Sequence, residues 1–106
     1  MIKIEIFRNQ GGKVSGFKVQ GHHGEYGTDI VCAGVSSLAQ TALLGIGRHL
    51  HREVDYKVAS GDLYMKLRSE PDDLTEAVLE TMLLGLTEIA RISPEAVHIL
   101  ETQEVK

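Results

Sequence analysis

The sequence predicts an α+β domain, ordered ββαββα plus a short last strand, with two helices packed on one face of one sheet. Apolar residues alternate in two pairs of short segments, and each pair is joined by a turn. In two longer segments they recur at three- and four-residue steps, which is typical of helices with one buried face. No repeat or linker interrupts the 106 residues, so a single domain over residues 1–106 is expected.

The strands are predicted as two hairpins. Residues 1–8 place Ile2, Ile4 and Ile6 on one face, and Val14–Gln20 returns after a glycine-containing turn at residues 9–12. The second hairpin pairs Val54–Ala59 with residues 63–68 around a turn at residues 60–62. The last strand is expected at residues 97–100, before a polar tail.

The first helix is predicted from Ile30 to about Leu50, with Asp29 as its N-cap. Gly45 and Gly47 each weaken it by about 1 kcal/mol relative to alanine, and either could permit close packing against a neighbour. The second helix is expected to start at residues 71–73 and to run to about Arg91. Its apolar surface is wider than one sheet face needs, which favours a partner chain on its other side.

Composition excludes several classes of function. The net charge is −4 and no cluster of lysines and arginines occurs, so direct nucleic-acid binding is not expected. One cysteine permits no internal disulfide, which is typical of a cytoplasmic protein. The alternating N-terminus does not resemble a signal peptide, and no apolar run is expected to reach the roughly 20 residues that span a bilayer. No membrane partner is therefore predicted.

The segment at residues 21–36 contains the residues that could act as a catalytic site. It places Cys32, the only cysteine, in the first turn of the predicted helix, ten and nine residues after His22 and His23. A thiol ordinarily has a pKa near 8.5, and a helix N-terminus lowers it by at most roughly 1.5 units. A neighbouring imidazole is therefore needed for a reactive thiolate, and acyl transfer is the reaction that these groups suggest.

Other interpretations of this segment stay open on the residues alone. Cys32 could be a small buried core residue, or a metal ligand together with the two histidines and Asp29 or Glu25. The loop could also belong to a non-catalytic protein-binding module. The remaining histidines have no motif around them and are expected on the surface: His49, His51 and His98.

The same segment closely resembles the ribosomal-processing cysteine protease family, Prp. The resemblance rests on a Gly-His pair, a short glycine-containing loop and an Asp-Ile-Val-Cys-Ala-Gly-Val-Ser run, here Gly21-His22, residues 24–27 and residues 29–36. Chain length, the N-terminal hairpin and the late helix extend the likeness over nearly the whole chain. It implies a cytoplasmic cysteine endopeptidase that removes the N-terminal extension of a large-subunit ribosomal protein, cleaving after an aromatic pair.

The resemblance also implies the roles of individual residues. Cys32 corresponds to the nucleophile and His22 to the general base of a Cys–His dyad. Family members carry a longer loop after the Gly-His pair. The shorter loop here allows a second alignment, in which His23 and not His22 corresponds to the base. Homodimers are expected, and neither a cofactor nor a metal is. The residues expected to support the dyad or to bind substrate are Gly21, Asp29, Ala33 and Ser36.

Overall fold

The computed structural model describes residues 1–21 and 30–104. Its first hairpin consists of β1 (Ile2–Arg8) and β2 (Val14–Gln20), followed by helix α1 (Ile30–Leu44) and a π-helical turn (Gly45–His49). The second hairpin consists of β3 (Val54–Ala59) and β4 (Asp62–Leu67), followed by helix α2 (Asp73–Ile92) and strand β5 (Val97–Gln103). The predicted order of elements is confirmed.

The strands form one mixed sheet in the order β3-β4-β2-β1-β5. β5 lies parallel to β1, whereas the other neighbouring strands are antiparallel. The predicted alternation of β1 is confirmed, since Ile2, Ile4 and Ile6 are buried. They share one core with Phe17 of β2 and with both helices, so one face of the sheet is covered and the other is open to solvent.

Helix α2 begins with strong local signals. Asp72 is its N-cap and accepts hydrogen bonds from the backbone N–H groups of Leu74 and Thr75, both at 3.0 Å. The Thr75 hydroxyl accepts in return from the Asp72 backbone N–H at 2.9 Å, which completes a capping box. Arg52 is ion-paired with the same carboxylate. The first turn of α2 is therefore fixed by side chains next to it in sequence and by one arginine from before β3.

The first helix departs from its prediction at its C-terminal end. The α-helix stops at Leu44, and the chain continues as a π-helical turn in which Leu50 donates its backbone N–H to the Gly45 carbonyl at 3.0 Å. A Cβ on Gly45 would lie 3.3 Å from Val78 of α2, so close packing explains this glycine. Gly47 has open space beside it and plays no such packing role. The predicted N-cap, Asp29, lies outside the described residues.

Small residues also let the two helices approach each other. A Cβ on Gly34 of α1 would lie 3.2 Å from the Ile89 Cδ1 atom. A Cβ on Gly85 of α2 would lie 2.8 Å from the Leu38 Cδ1 atom, which is closer than such atoms pack. Each helix therefore presents a glycine to a branched side chain of the other, and α1 is held against α2 as well as against the sheet.

The last strand is three residues longer than predicted. Its seven residues pair with all seven of β1, from Ile2 with Val97 to Arg8 with Gln103. The polar residues 101–103 can belong to the strand because β5 is an edge strand and two of them bond to β1 side chains. Arg8 is ion-paired with Glu101 at 2.7 Å, and Thr102 donates to Glu5 at 2.8 Å.

One sequence expectation about apolar runs is wrong. An 18-residue window within Ile30–His49 has a mean hydropathy of 1.6, so by length and composition this helix could cross a membrane. Core helices of water-soluble domains pass the same test, and the α1 segment packs on the sheet through Val35, Ala39 and Ala42. A single helix of this kind is weak evidence for a membrane span.

Candidate active site

Cys32 is the third residue of α1 and lies at the N-terminal end of that helix. Its side chain is half-buried and packs against the edge of the core. The neighbouring Ala33 is exposed. The positive end of the helix dipole favours a negatively charged group, so the first turn of α1 stabilises a thiolate over a thiol. This position agrees with the prediction that Cys32 lies in the first turn of the helix.

A groove of about 460 Å³ lies along Cys32. Its walls come from the start of α1, the end of β2 and the turn between β3 and β4. Three of the predicted site residues, Gly21, Ala33 and Ser36, line it together with Cys32. The other lining residues are Ile2, Val19, Gln40, Val58, Ala59, Ser60, Gly61, Asp62 and Leu63.

Gly21 lines the groove, and no other residue fits at this position. Its backbone has a φ of 95°, and a Cβ at this position would collide with the Met1 carbonyl oxygen. Its N–H donates to the Gly61 carbonyl at 3.0 Å. This bond ties the end of β2 to the β3–β4 turn, so the wall facing Cys32 is braced by the backbone.

The polar groups of the groove are held by neighbours. Gln40 donates through Nε2 to the Ser36 hydroxyl oxygen at 2.7 Å, one turn further along α1. Asp62 accepts from Lys57 Nζ at 2.6 Å. That hydrogen bond is the main cause that lowers the pKa of Asp62 below its usual value, with the charge of Lys57 adding to it. Asp62 is therefore a paired carboxylate at neutral pH.

The predicted general base lies outside the part of the chain that the structure describes. His22, its alternative His23, and Asp29 all fall between residues 22 and 29. The model therefore brings together four of the six predicted site residues and does not test the pairing of Cys32 with an imidazole. The three other histidines are exposed, as predicted. Within residues 1–21 and 30–104, no group of three or more His, Cys, Asp or Glu side chains could hold a metal ion.

Sequence reasoning missed the contribution of the second hairpin. Val58 and the β3–β4 turn reach the groove because β4 pairs with β2, which places that turn beside Gly21. No motif marks these residues. The one sequence feature that could have indicated them is the apolar character of Tyr56 and Val58. Its meaning becomes clear only from the structure, where β3 lies at the sheet edge.

A larger cavity, of about 520 Å³, lies at the opposite end of the sheet. Its polar side chains bond to one another. The Ser15 hydroxyl donates to Glu104 and lies 3.2 Å from the Phe7 carbonyl, and Lys66 is ion-paired with the same Glu104. Cys32 does not line this cavity. Size therefore does not decide between the two spaces, and the groove beside Cys32 is the candidate site because a cysteine thiol at a helix start lines it.

Comparison with known proteins decides the family. The family model described as cysteine protease Prp matches residues 1–98. The chain belongs to the cysteine protease Prp family. It is 34% identical over 94 residues to a ribosomal processing cysteine protease Prp of Staphylococcus aureus strain Mu50, covering 84% of this chain and 88% of that protein. A Prp of S. aureus strain NCTC 8325 matches equally well.

Solved Prp structures share the fold. An essential ribosomal processing protease Prp from S. aureus, in complex with a covalently linked product peptide, superposes with a TM-score of 0.89 at 30% identity, covering 96% of this chain and all of that one. A protein from Streptococcus mutans superposes with a TM-score of 0.82 at 28% identity, covering 98% and 96% of the two chains. This Prp family member is a cysteine endopeptidase with an α+β fold. Its family decides against the non-catalytic module that the sequence left open.

Proposed function

We propose that this protein removes the N-terminal extension of a large-subunit ribosomal protein precursor by cutting after a pair of aromatic residues. Cys32 attacks the scissile carbonyl, and His22 takes the thiol proton and later delivers it to the leaving amine. The position of Cys32, in the first turn of α1 and along an open groove, is the observation that carries this proposal. A related Prp from S. aureus was solved in complex with a substrate peptide, which supports a peptide in the equivalent place.

The site supplies two aids to this chemistry. The helix dipole of α1 stabilises the thiolate before attack. Backbone N–H groups near Cys32 and Ala33 lie at the same positive end, where the oxyanion of the tetrahedral intermediate would form. Because the dipole lowers a thiol pKa by at most roughly 1.5 units, an imidazole has to complete the activation. His22 is the proposed source and His23 the alternative.

The proposal extends to location and assembly. We place the reaction in the cytoplasm, where ribosomal protein precursors occur and a lone cysteine stays reduced. We propose a homodimer, supported by the apolar side chains that α2 leaves exposed after packing on the sheet. Leu84 is 67% exposed and Ile92 is 70% exposed. Sedimentation velocity would show one species of twice the chain mass, and a monomer at micromolar concentration would contradict the dimer.

Mass spectrometry of precursor peptides tests the activity. The wild-type protein should cut a peptide after its aromatic pair and leave a matched peptide with two alanines there intact. His22→Ala should lower the cleavage rate by at least about 10³-fold, whereas His23→Ala should retain most of it. The reverse result would move the base to His23. Equal cleavage by both variants would contradict a Cys–His dyad in this loop.

A further inference from the structure

Strand β3 carries a row of apolar side chains, two of which are exposed among residues 1–21 and 30–104. Val54, Tyr56 and Val58 pair in register with Leu67, Met65 and Leu63 of β4. These partners are buried beneath the helices, so the β3 side chains point to the same covered face of the sheet. Yet Tyr56 is 65% exposed and Val58 is 48% exposed, because the helices do not extend over this edge strand.

The uncovered row forms one wall of a second groove. This groove, of about 340 Å³, separates β3 from the end of α1 and the π-helical turn. Val58 and Gln40 line both this groove and the one beside Cys32, so the two grooves are adjacent. The residues lining the second groove are Gln40, Leu43, Leu44, Gly47, Arg48, Val54, Tyr56 and Val58.

The spacing along β3 suits an extended peptide. Val58 and Tyr56 lie two residues apart, or roughly 6.8 Å at the usual strand rise. Alternate side chains of an extended peptide have the same separation, so two of them could contact Val58 and Tyr56 in turn. The path would begin at Cys32, pass Val58 and end near Arg48.

The chemistry of this path is apolar. Arg48, at its far end, is the only charged residue among those that line the second groove. In the first groove the Asp62 carboxylate is neutralised by Lys57. Among the described residues, the middle of the path therefore has no unpaired charge to repel an apolar chain, and exposed leucine, valine and tyrosine side chains line it.

We propose that this β3–α1 groove binds the apolar substrate residues that precede the scissile bond, with Tyr56 and Val58 as specificity-determining residues. The inference rests on the proposed function, in which recognition of aromatic side chains lies on the N-terminal side of the cut. That side also stays attached to Cys32 in the thioester intermediate, after the C-terminal product has left with the proton from the base. Contacts along β3 therefore act both before and after the peptide bond breaks.

Two peptides and two variants test the groove. One peptide carries about six residues before the cut, roughly 20 Å when extended, and the other carries the aromatic pair alone. Wild-type kcat/KM should be about tenfold higher for the long peptide, since a buried apolar anchor contributes on that scale. Tyr56→Lys should lower the long-to-short ratio of kcat/KM from about tenfold to about one. Leu100→Lys, an equally non-conservative change at an exposed leucine on β5, should keep it.

A binding measurement separates this proposal from the proposed function. In the Cys32→Ala background, fluorescence anisotropy of the labelled long peptide should give a Kd about tenfold weaker with Tyr56→Lys than without it. If the wild-type protein cleaves neither peptide, the proposed function fails and this Kd alone decides the groove. An unchanged Kd and an unchanged long-to-short ratio overturn the inference. The inference is also overturned if sedimentation velocity shows that Tyr56→Lys, but not Leu100→Lys, converts a dimer to a monomer. That result would assign the surface to a second copy of the chain.

Discussion

The two helices lie on the same face of the sheet but are built in different ways. Helix α2 has a capping box at its start and buries five residues along its length. Helix α1 buries three, ends in a π-helical turn, and has no acidic residue among those of its first turn or basic residue in its last. Its first residue, Ile30, is 84% exposed. Among the described residues, local signals and burial both support α2, whereas α1 buries fewer side chains and carries the candidate nucleophile in its first turn.

The largest expected effect comes from the open end of α1. Cys32→Ala should lower the cleavage rate by at least about 10³-fold, because the proposed nucleophile is removed. The thermal unfolding midpoint should change little, since the side chain is small and half-buried. The matched control is Ser37→Ala, an exposed serine on the same helix that does not line the groove. Full activity of Cys32→Ala would break the comparison, because α1 would then carry no catalytic group.

The closed face of α2 should show the opposite behaviour. Leu86 is fully buried, and Leu86→Ala should reduce the free energy of unfolding by about 2–5 kcal/mol through lost burial and a cavity. The folded variant should keep its kcat, because Leu86 does not line the groove. Leu100→Ala, at an exposed leucine, should change stability by less than about 0.5 kcal/mol. Chemical denaturation measures both, and equal effects would show that burial does not distinguish the two sites.

The smallest expected effect concerns the start of α2 and is confined to acid pH. Arg52 donates a hydrogen bond to Asp72, and together with the bond from the Thr75 N–H this lowers the pKa of Asp72 below 3.8. A carboxyl with a lowered folded-state pKa stabilises the fold above its unfolded value and loses that contribution as the pH falls through the folded value. The unfolding midpoint of the wild-type protein should therefore exceed that of Asp72→Asn at pH 7.

This difference should shrink below about pH 4, close to the unfolded-state pKa. Asparagine still caps a helix, so the variant isolates the charge. Thermal melts between pH 7 and pH 3 measure the difference, with Asp73→Asn as the neighbouring exposed control. A difference that stays constant over this range would show that the Arg52 pairing does not act through ionisation.

The secondary structure was largely predictable because its signals are local. Alternation in β1 and the helical repeat in α2 follow from which side chains face the core, and the structure confirms both. The errors occurred where contacts distant in sequence decide. The polar end of β5 pairs in register with β1, 95 residues away in sequence, so the strand is three residues longer than predicted. This contact leaves no periodic pattern in the sequence.

The sequence by itself determined the family, the order of elements and the position of Cys32 at a helix start, because motif spacing and hydrophobic periodicity are properties of adjacent residues. Only the tertiary structure decided what surrounds that thiol. Pairing of β4 with β2 brings the β3–β4 turn to Gly21 and sets Val58 beside Cys32. The strand order also places β3 at the sheet edge, where Tyr56 is 65% exposed. The groove exists because of this incomplete cover, which depends on strand order and not on any local motif.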